Sequence, residues 1–252
     1  TVGLGATAIF VVWSLVAYRA NSEARQATES DSDVTVTHAD GIWRFEPTGV
    51  ATNPTLVFFP GALVDPRAYA PLARAVARKR FRVILVELPR RGMFGGAESP
   101  ELRMRVNSAL ASLGDSGSVV LGGHSRGAVV ASAVAAGRPP TLGGLVLIGT
   151  SHPRDVDLSG LNVPVTKIAG TRDGLATPAE VSGNASLLPP QTHWIWVDGG
   201  NHSQFGWYGF QPMDRRPRVS AAEQRSAMID GVLDLLRAAD TAADSRTEPV
   251  AS

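Results

Sequence analysis

The sequence contains no cysteine. That removes disulfides, a thiolate nucleophile and thiolate metal ligands together. A chain of 252 residues is nevertheless long enough to be stable on a buried core alone. Charge of one sign is also missing: 24 basic and 23 acidic residues leave a formal net charge of +1. Such a balance creates no long-range field and gives no basis for nucleic-acid binding. The clusters Arg78-Lys79-Arg80 and Arg215-Arg216 are short and read as solvated surface. The five histidines form no HExxH or other compact ligand pattern, so no metal is expected. No GxGxxG follows the first parallel strand candidate, which argues against a dinucleotide, and no other cofactor is expected. Apolar residues at 44% and charged residues at 19% are those of a globular chain.

Uninterrupted apolar sequence is confined to the beginning. Residues 2–18 carry no charge, and Arg19 ends the run. The chain starts at Thr1 rather than methionine, so it is read as truncated or processed, and the run is expected to be longer only if residues are missing upstream. Its length lies at the lower edge of a membrane span and slightly above a signal-peptide core. Residues 1–20 are therefore expected to be a transmembrane anchor or a signal segment, with Ser22-Glu23-Ala24 a weak cleavage match. A buried or surface helix is the third reading. Residues 21–33, small and polar, read as a linker. These readings imply membrane association through residues 2–18, or secretion, with the following domain outside the cytoplasm.

Short apolar runs then alternate with helical stripes. Val34–Thr37 and Ile42–Phe45 flank Asp40-Gly41 as a hairpin. Strands are expected at Thr55–Phe59, Val83–Val86, Val119–Leu121, Leu145–Ile148, Val165–Ala169 and Trp194–Val197. Helices are expected at Tyr69–Lys79, Leu102–Leu113, Arg126–Ala136 and Glu223–Ala239. An antiparallel hairpin followed by parallel units predicts a mostly parallel sheet of about eight strands covered on both faces, an α/β three-layer sandwich. No segment is long enough for a large cap domain.

The run Val119-Val120-Leu121-Gly122-Gly123-His124-Ser125-Arg126-Gly127 places a GxSxG between an apolar strand and an Ala/Val-rich helix. A sharp strand-to-helix turn there projects a serine hydroxyl at the carboxyl end of the sheet. Ser125 is thus the candidate nucleophile. It needs a base, and His202, after the last strand, returns an imidazole over the sheet; His152 is the rival. His124 adjoins the serine, and its side chain is expected to turn away across the elbow. The orienting acid is expected at Asp173, after the Val165–Ala169 strand, with Asp198, Asp155 and Asp157 as alternatives. Backbone N–H groups of Arg126 and Ala62 are the expected oxyanion donors. The Arg126 side chain either binds an acidic substrate group or pairs with a neighbouring carboxylate. The insertion Ser203–Val219 carries Phe205, Trp207, Tyr208 and Phe210, read equally as a pocket rim or a small local core. Leu63, Phe205, Trp207 and Tyr208 are the candidate substrate-binding residues.

Three segments carry a family resemblance: Pro60-Gly61-Ala62-Leu63-Val64-Asp65-Pro66, Gly123-His124-Ser125-Arg126-Gly127 and Gly200-Asn201-His202-Ser203-Gln204-Phe205-Gly206. On them the chain resembles the α/β-hydrolase superfamily from about Val34 to Ala239, in particular small bacterial serine hydrolases loosely similar to dienelactone hydrolases. The resemblance implies an α/β-hydrolase fold and the same nucleophile, acid and base roles. The absence of cysteine departs from dienelactone hydrolases themselves. The chain is accordingly divided into residues 1–20, the linker 21–33, a catalytic domain 34–240 and a polar tail 241–252. Its expected partner is a small-molecule acyl ester, cleaved through an acyl-enzyme. Thioesterase or peptidase chemistry and a non-catalytic binding module are the alternatives.

Overall fold

A computed structural model describes residues 12–14, 16–114 and 117–247. The strands are β1 (Val34–Ala39), β2 (Ile42–Pro47), β3 (Thr52–Phe59), β4 (Phe81–Val86), β5 (Val119–His124), β6 (Leu142–Ile148), β7 (Val165–Gly170) and β8 (His193–Val197). They form one sheet in the order β1-β2-β4-β3-β5-β6-β7-β8. The β1–β2 and β2–β4 pairs are antiparallel, and the other pairs, from β4–β3 across to β7–β8, are parallel. The three-layer α/β sandwich with a mostly parallel eight-stranded sheet is therefore the observed fold.

Strand periodicity divides the apolar residues between two cores. Along β3, Leu56 and Phe58 face one side, while Val57 and Phe59 face the other. Helices α2 (Ala70–Arg78) and α6 (Ala221–Thr247) cover the first face, through Leu72, Val76, Val232 and Leu236. Helices α3 (Pro100–Ala111) and α4 (Arg126–Ala136) cover the second, through Leu102, Val106, Ala128 and Ala131. Two short helices, α1 (Ser22–Gln26) and α5 (Pro178–Gly183), were not visible as apolar stripes. Five or six residues are too few to show a helical period, and α5 is instead held by a Thr177–Glu180 capping box. Helix α6 runs on through Thr247, past the expected start of the polar tail.

The N-terminal expectations require correction. Among the described residues, no helix is long and apolar enough to cross a membrane. Residues 2–11 and 15 of the apolar run lie outside the described residues. At its end, Tyr18 and Ala20 are buried in the first core, and Tyr18 O accepts a hydrogen bond from Asp65 N at 2.9 Å. The expected transmembrane helix, the membrane association through residues 2–18 and the membrane-anchored location are thereby overturned.

Residues 21–33 also differ from a free linker. Asn21 caps α1 by accepting from Ala24 N at 2.9 Å, and Ala24 is fully buried. The Arg74 guanidinium reaches across to Ala27 O, Glu29 O and the Asp31 carboxylate. Polar composition concealed this docking because the contacts run through backbone carbonyls, one buried alanine and polar side chains whose partners lie far along the chain. Ala24→Asp should place an unpaired charge in the core, lower stability by about 3–5 kcal/mol and open Arg19 and Arg25 to trypsin. Unchanged proteolysis and melting temperature would show that the segment is undocked in solution.

Candidate active site

The turn between β5 and α4 places Ser125 at φ 53° and ψ −119°. A non-glycine residue with positive φ is strained. Here the neighbouring glycines make the turn possible. A Cβ at Gly123 would lie 2.3 Å from the Gly127 carbonyl carbon, and one at Gly127 would lie 2.0 Å from Phe59 O. Ser125 N donates to Ile148 O at 2.9 Å, tying the elbow to β6. Ser125 is part-exposed, at the carboxyl edge of the parallel strands.

His202 and Asp173 meet across the ends of β8 and β7. His202 Nδ1 lies 2.9 Å from Asp173 Oδ2, and both side chains are buried. Asp173 Oδ1 accepts from Leu175 N at 2.8 Å and Ala176 N at 2.7 Å, so both carboxylate oxygens are engaged. This fixes the acid and leaves His202 Nε2 buried without a hydrogen-bond partner among the described residues. The rivals are placed elsewhere. Asp198 accepts from Thr171 Oγ1 at 3.0 Å on the surface. His152 Nε2 lies 3.9 Å from the exposed Asp155 carboxylate. Asp157 accepts from Ser159 N.

Arg126 N–H opens the first turn of α4, among the N–H groups that a helix cannot satisfy internally. Ala62 N–H, in the turn after β3, takes no backbone acceptor among the described residues, whereas Leu63 N donates to Arg91 O at 2.8 Å. The Arg126 guanidinium pairs with Glu98, the neighbouring carboxylate. Both groups are well exposed, so the pair contributes little to stability.

Within the aromatic insertion, Phe205 and Trp207 form a small local core. Phe205 and Trp207 are buried, and Trp207 Nε1 donates to Glu23 Oε1 at 2.8 Å with the Arg225 guanidinium over its ring. That burial removes both from the residues a ligand would reach from solvent. Leu63 and Tyr208 are half-buried, and Phe210 is exposed. Among the described residues, no group of three His, Asp or Glu side chains could hold a metal.

Sequence reasoning missed Tyr69. Its hydroxyl accepts from Gly61 N at 3.1 Å and lies within hydrogen-bond distance of His124 Nδ1, at 2.7 Å. His124 does not turn away from the site: its ring centroid is 4.6 Å from that of His202. Burial first, and then the neighbouring His202, hold its pKa well below the usual value. Tyr69 read only as the start of an amphipathic helix, and nothing in its spacing linked it to residue 124.

The comparisons with known proteins bear on family and fold. The profile of a family described as "Alpha/beta hydrolase family" matches residues 55–226, more than half of the chain. No curated protein matches. Among solved structures, TT1662 from Thermus thermophilus is similar with a TM-score of 0.58 at 15% identity, over 81% of this chain and 99% of that one. A structure described with LipS and LipT, two metagenome-derived lipolytic enzymes, is similar with a TM-score of 0.55 at 12% identity, over 82% and 97%. At such identities these two likenesses establish the fold.

Lys167 lies below the His152 loop, buried on β7, with Nζ donating to His152 O. Burial pushes its pKa down to about 7 from 10.5. Between those values the unfolded chain binds a proton that the folded chain does not, so stability rises with pH across that window. The slope for one proton approaches ~1.4 kcal/mol per pH unit. Lys167→Met should remove that rise when urea unfolding is compared at several pH values from 7.5 to 9.5. Parallel pH dependence in the two proteins would contradict a lysine buried in this way.

Proposed function

This chain belongs to the alpha/beta hydrolase family, and from that premise we propose that it hydrolyses carboxylic esters of small to medium acyl chains, with Ser125, His202 and Asp173 as nucleophile, base and acid. The observation that carries the reading is the buried 2.9 Å contact between His202 Nδ1 and Asp173 Oδ2. His202 Nε2, the nitrogen that faces a nucleophile in such a triad, is buried and has no hydrogen-bond partner among the described residues. The lipolytic activity named for one fold relative is of the same chemical class.

In the first stage Ser125 Oγ attacks the acyl carbonyl as His202 Nε2 takes its proton. Asp173 holds the imidazole tautomer with Nδ1–H toward the carboxylate and stabilises the cation that forms. The tetrahedral oxygen is met by the N–H groups of Arg126 and Ala62, each donor being worth about 3–4 kcal/mol in comparable sites. The leaving alcohol takes the proton from Nε2, and water then cleaves the acyl-enzyme with the roles reversed. The dienelactone-hydrolase likeness contributes no substrate to this reading, because the chain has no cysteine.

A fluorophosphonate should label the wild-type protein and leave Ser125→Ala unlabelled. Labelling retained in the variant would exclude Ser125 as nucleophile. On p-nitrophenyl esters, Asp173→Asn should lower kcat by about 10⁴-fold and Asp198→Asn far less. Equal losses, or the reverse order, would move the acid to Asp198.

A further inference from the structure

The insertion after His202 contributes a second buried carboxylate, which the mechanism above does not use. Asp214 is 9% exposed. Its Oδ1 accepts from Gly174 N at 3.1 Å, His202 N at 3.2 Å and Arg215 N at 2.8 Å. Its Oδ2 accepts from Ser203 N at 2.8 Å and Ser203 Oγ at 2.7 Å. Its hydrogen-bond partners are therefore all neutral donors. Two of them belong to the residues that matter most for the site: His202 itself, and Gly174, which follows Asp173.

The two carboxylates thus make parallel bridges between the same two loops. Asp173 joins the β7 loop to the His202 ring, and Asp214 joins that loop to the His202 backbone. Together they take three consecutive N–H groups, those of Gly174, Leu175 and Ala176. The approach of the second bridge is close. A Cβ at Gly174 would lie 2.4 Å from Met213 O and 2.9 Å from Asp214 Cα. Holding a loop needs only ordinary neutral bonds, and a buried anion without a cation is costly. A carboxylate is the side chain that accepts on all sides. An asparagine would turn an NH2 group toward one set of these donors.

We propose that Asp214 is a positioning residue for the acid–base pair: by binding the backbones of His202 and Gly174 through one carboxylate, it sets the separation of the His202 ring from Asp173. The proposal rests on His202 and Asp173 being the base and acid. Misplacing a reacting group by about 1 Å costs on the order of 10²-fold in rate, which sets the expected effect.

The test measures p-nitrophenyl acetate hydrolysis and fluorophosphonate labelling for Asp214→Asn, alone and combined with Asp173→Asn, with melting temperatures for each protein. Asp214→Asn alone should lower kcat by about 10²-fold and leave KM within about threefold. In the Asp173→Asn background the same change should cost little more, because the alignment it protects is already without its acid. A purely structural carboxylate predicts the same fold loss in both backgrounds, tracking the fraction of folded protein, and that result would overturn the proposal. A kcat within about twofold of wild type would do the same. Should Asp214→Asn not fold, Ser203→Ala removes one donor and keeps the carboxylate. It should lower kcat severalfold at constant KM, and an unchanged kcat would again overturn the proposal. Wild-type protein that is neither labelled nor active would remove the hydrolase reading itself, whereas labelled wild type with an unaffected Asp214→Asn removes only this step.

Discussion

At Ser125 the chain leaves a central strand and enters a helix within a single residue, and the rest of the site is arranged around that turn. The conformation carries a strain of about 1–3 kcal/mol for a non-glycine residue. It persists because β5 is hydrogen-bonded on both sides, to β3 and to β6, and cannot relax sideways. Gly127 packs so closely on the end of β3 that Ser125, the helix start and the turn after β3 are held together. Arg126 N–H and Ala62 N–H are carried by the two sides of that contact. Two potential donors are thus placed by backbone geometry, with the Arg126 side chain engaged elsewhere, on Glu98.

The electrostatics behind the serine follow from burial. His124 is fully buried beside His202, where a second positive charge would oppose an imidazolium forming on His202. Burial, and then the proximity of His202, favour the neutral His124 ring, and the Tyr69 hydroxyl lies 2.7 Å from its Nδ1. Because the same hydroxyl accepts from Gly61 N, one side chain ties the turn after β3 to the strand that bears the nucleophile. The buried hydrogen-bonded contact of His202 with Asp173 is thus flanked by the ring of His124.

The parts of this arrangement that were legible in the sequence are those encoded by local pattern. Alternating apolar strands and helical stripes specify the sheet, and Gly123-x-Ser125-x-Gly127 specifies the elbow because steric exclusion allows few other residues there. Asp173 and His202 were legible through their positions after β7 and β8, since in a parallel sheet every such loop emerges at the same edge. What remained hidden depends on pairs far apart in the chain. Tyr69 meets His124 across 55 positions, and Trp207 finds Glu23 across 184. Neither pairing leaves a periodic trace. The N-terminal run misled for a related reason: hydropathy reports that a segment avoids water, and both a protein core and a lipid core satisfy it. Burial of Tyr18 and Ala20 against the domain's own aromatics answers the demand for their part of the run.

That substitution has a consequence for the site. Trp207 and Phe205 are occupied by the N-terminal segment and by the core, so the apolar surface nearest the reacting groups must come from elsewhere. Exposed large apolar side chains occur at Phe94, Leu175, Phe210 and Met213, on the loops that follow β4, β7 and β8. All three loops leave the carboxyl edge of the sheet, where Ser125 lies. Phe94 and Met213 hold positive φ, a strained conformation for a side chain directed into water. Rigid strands fix the reacting groups, while short loops without a cap domain present the contact surface. In such a division the strands hold Ser125, Asp173 and His202 in place, and the loops supply the apolar surface exposed at the same edge.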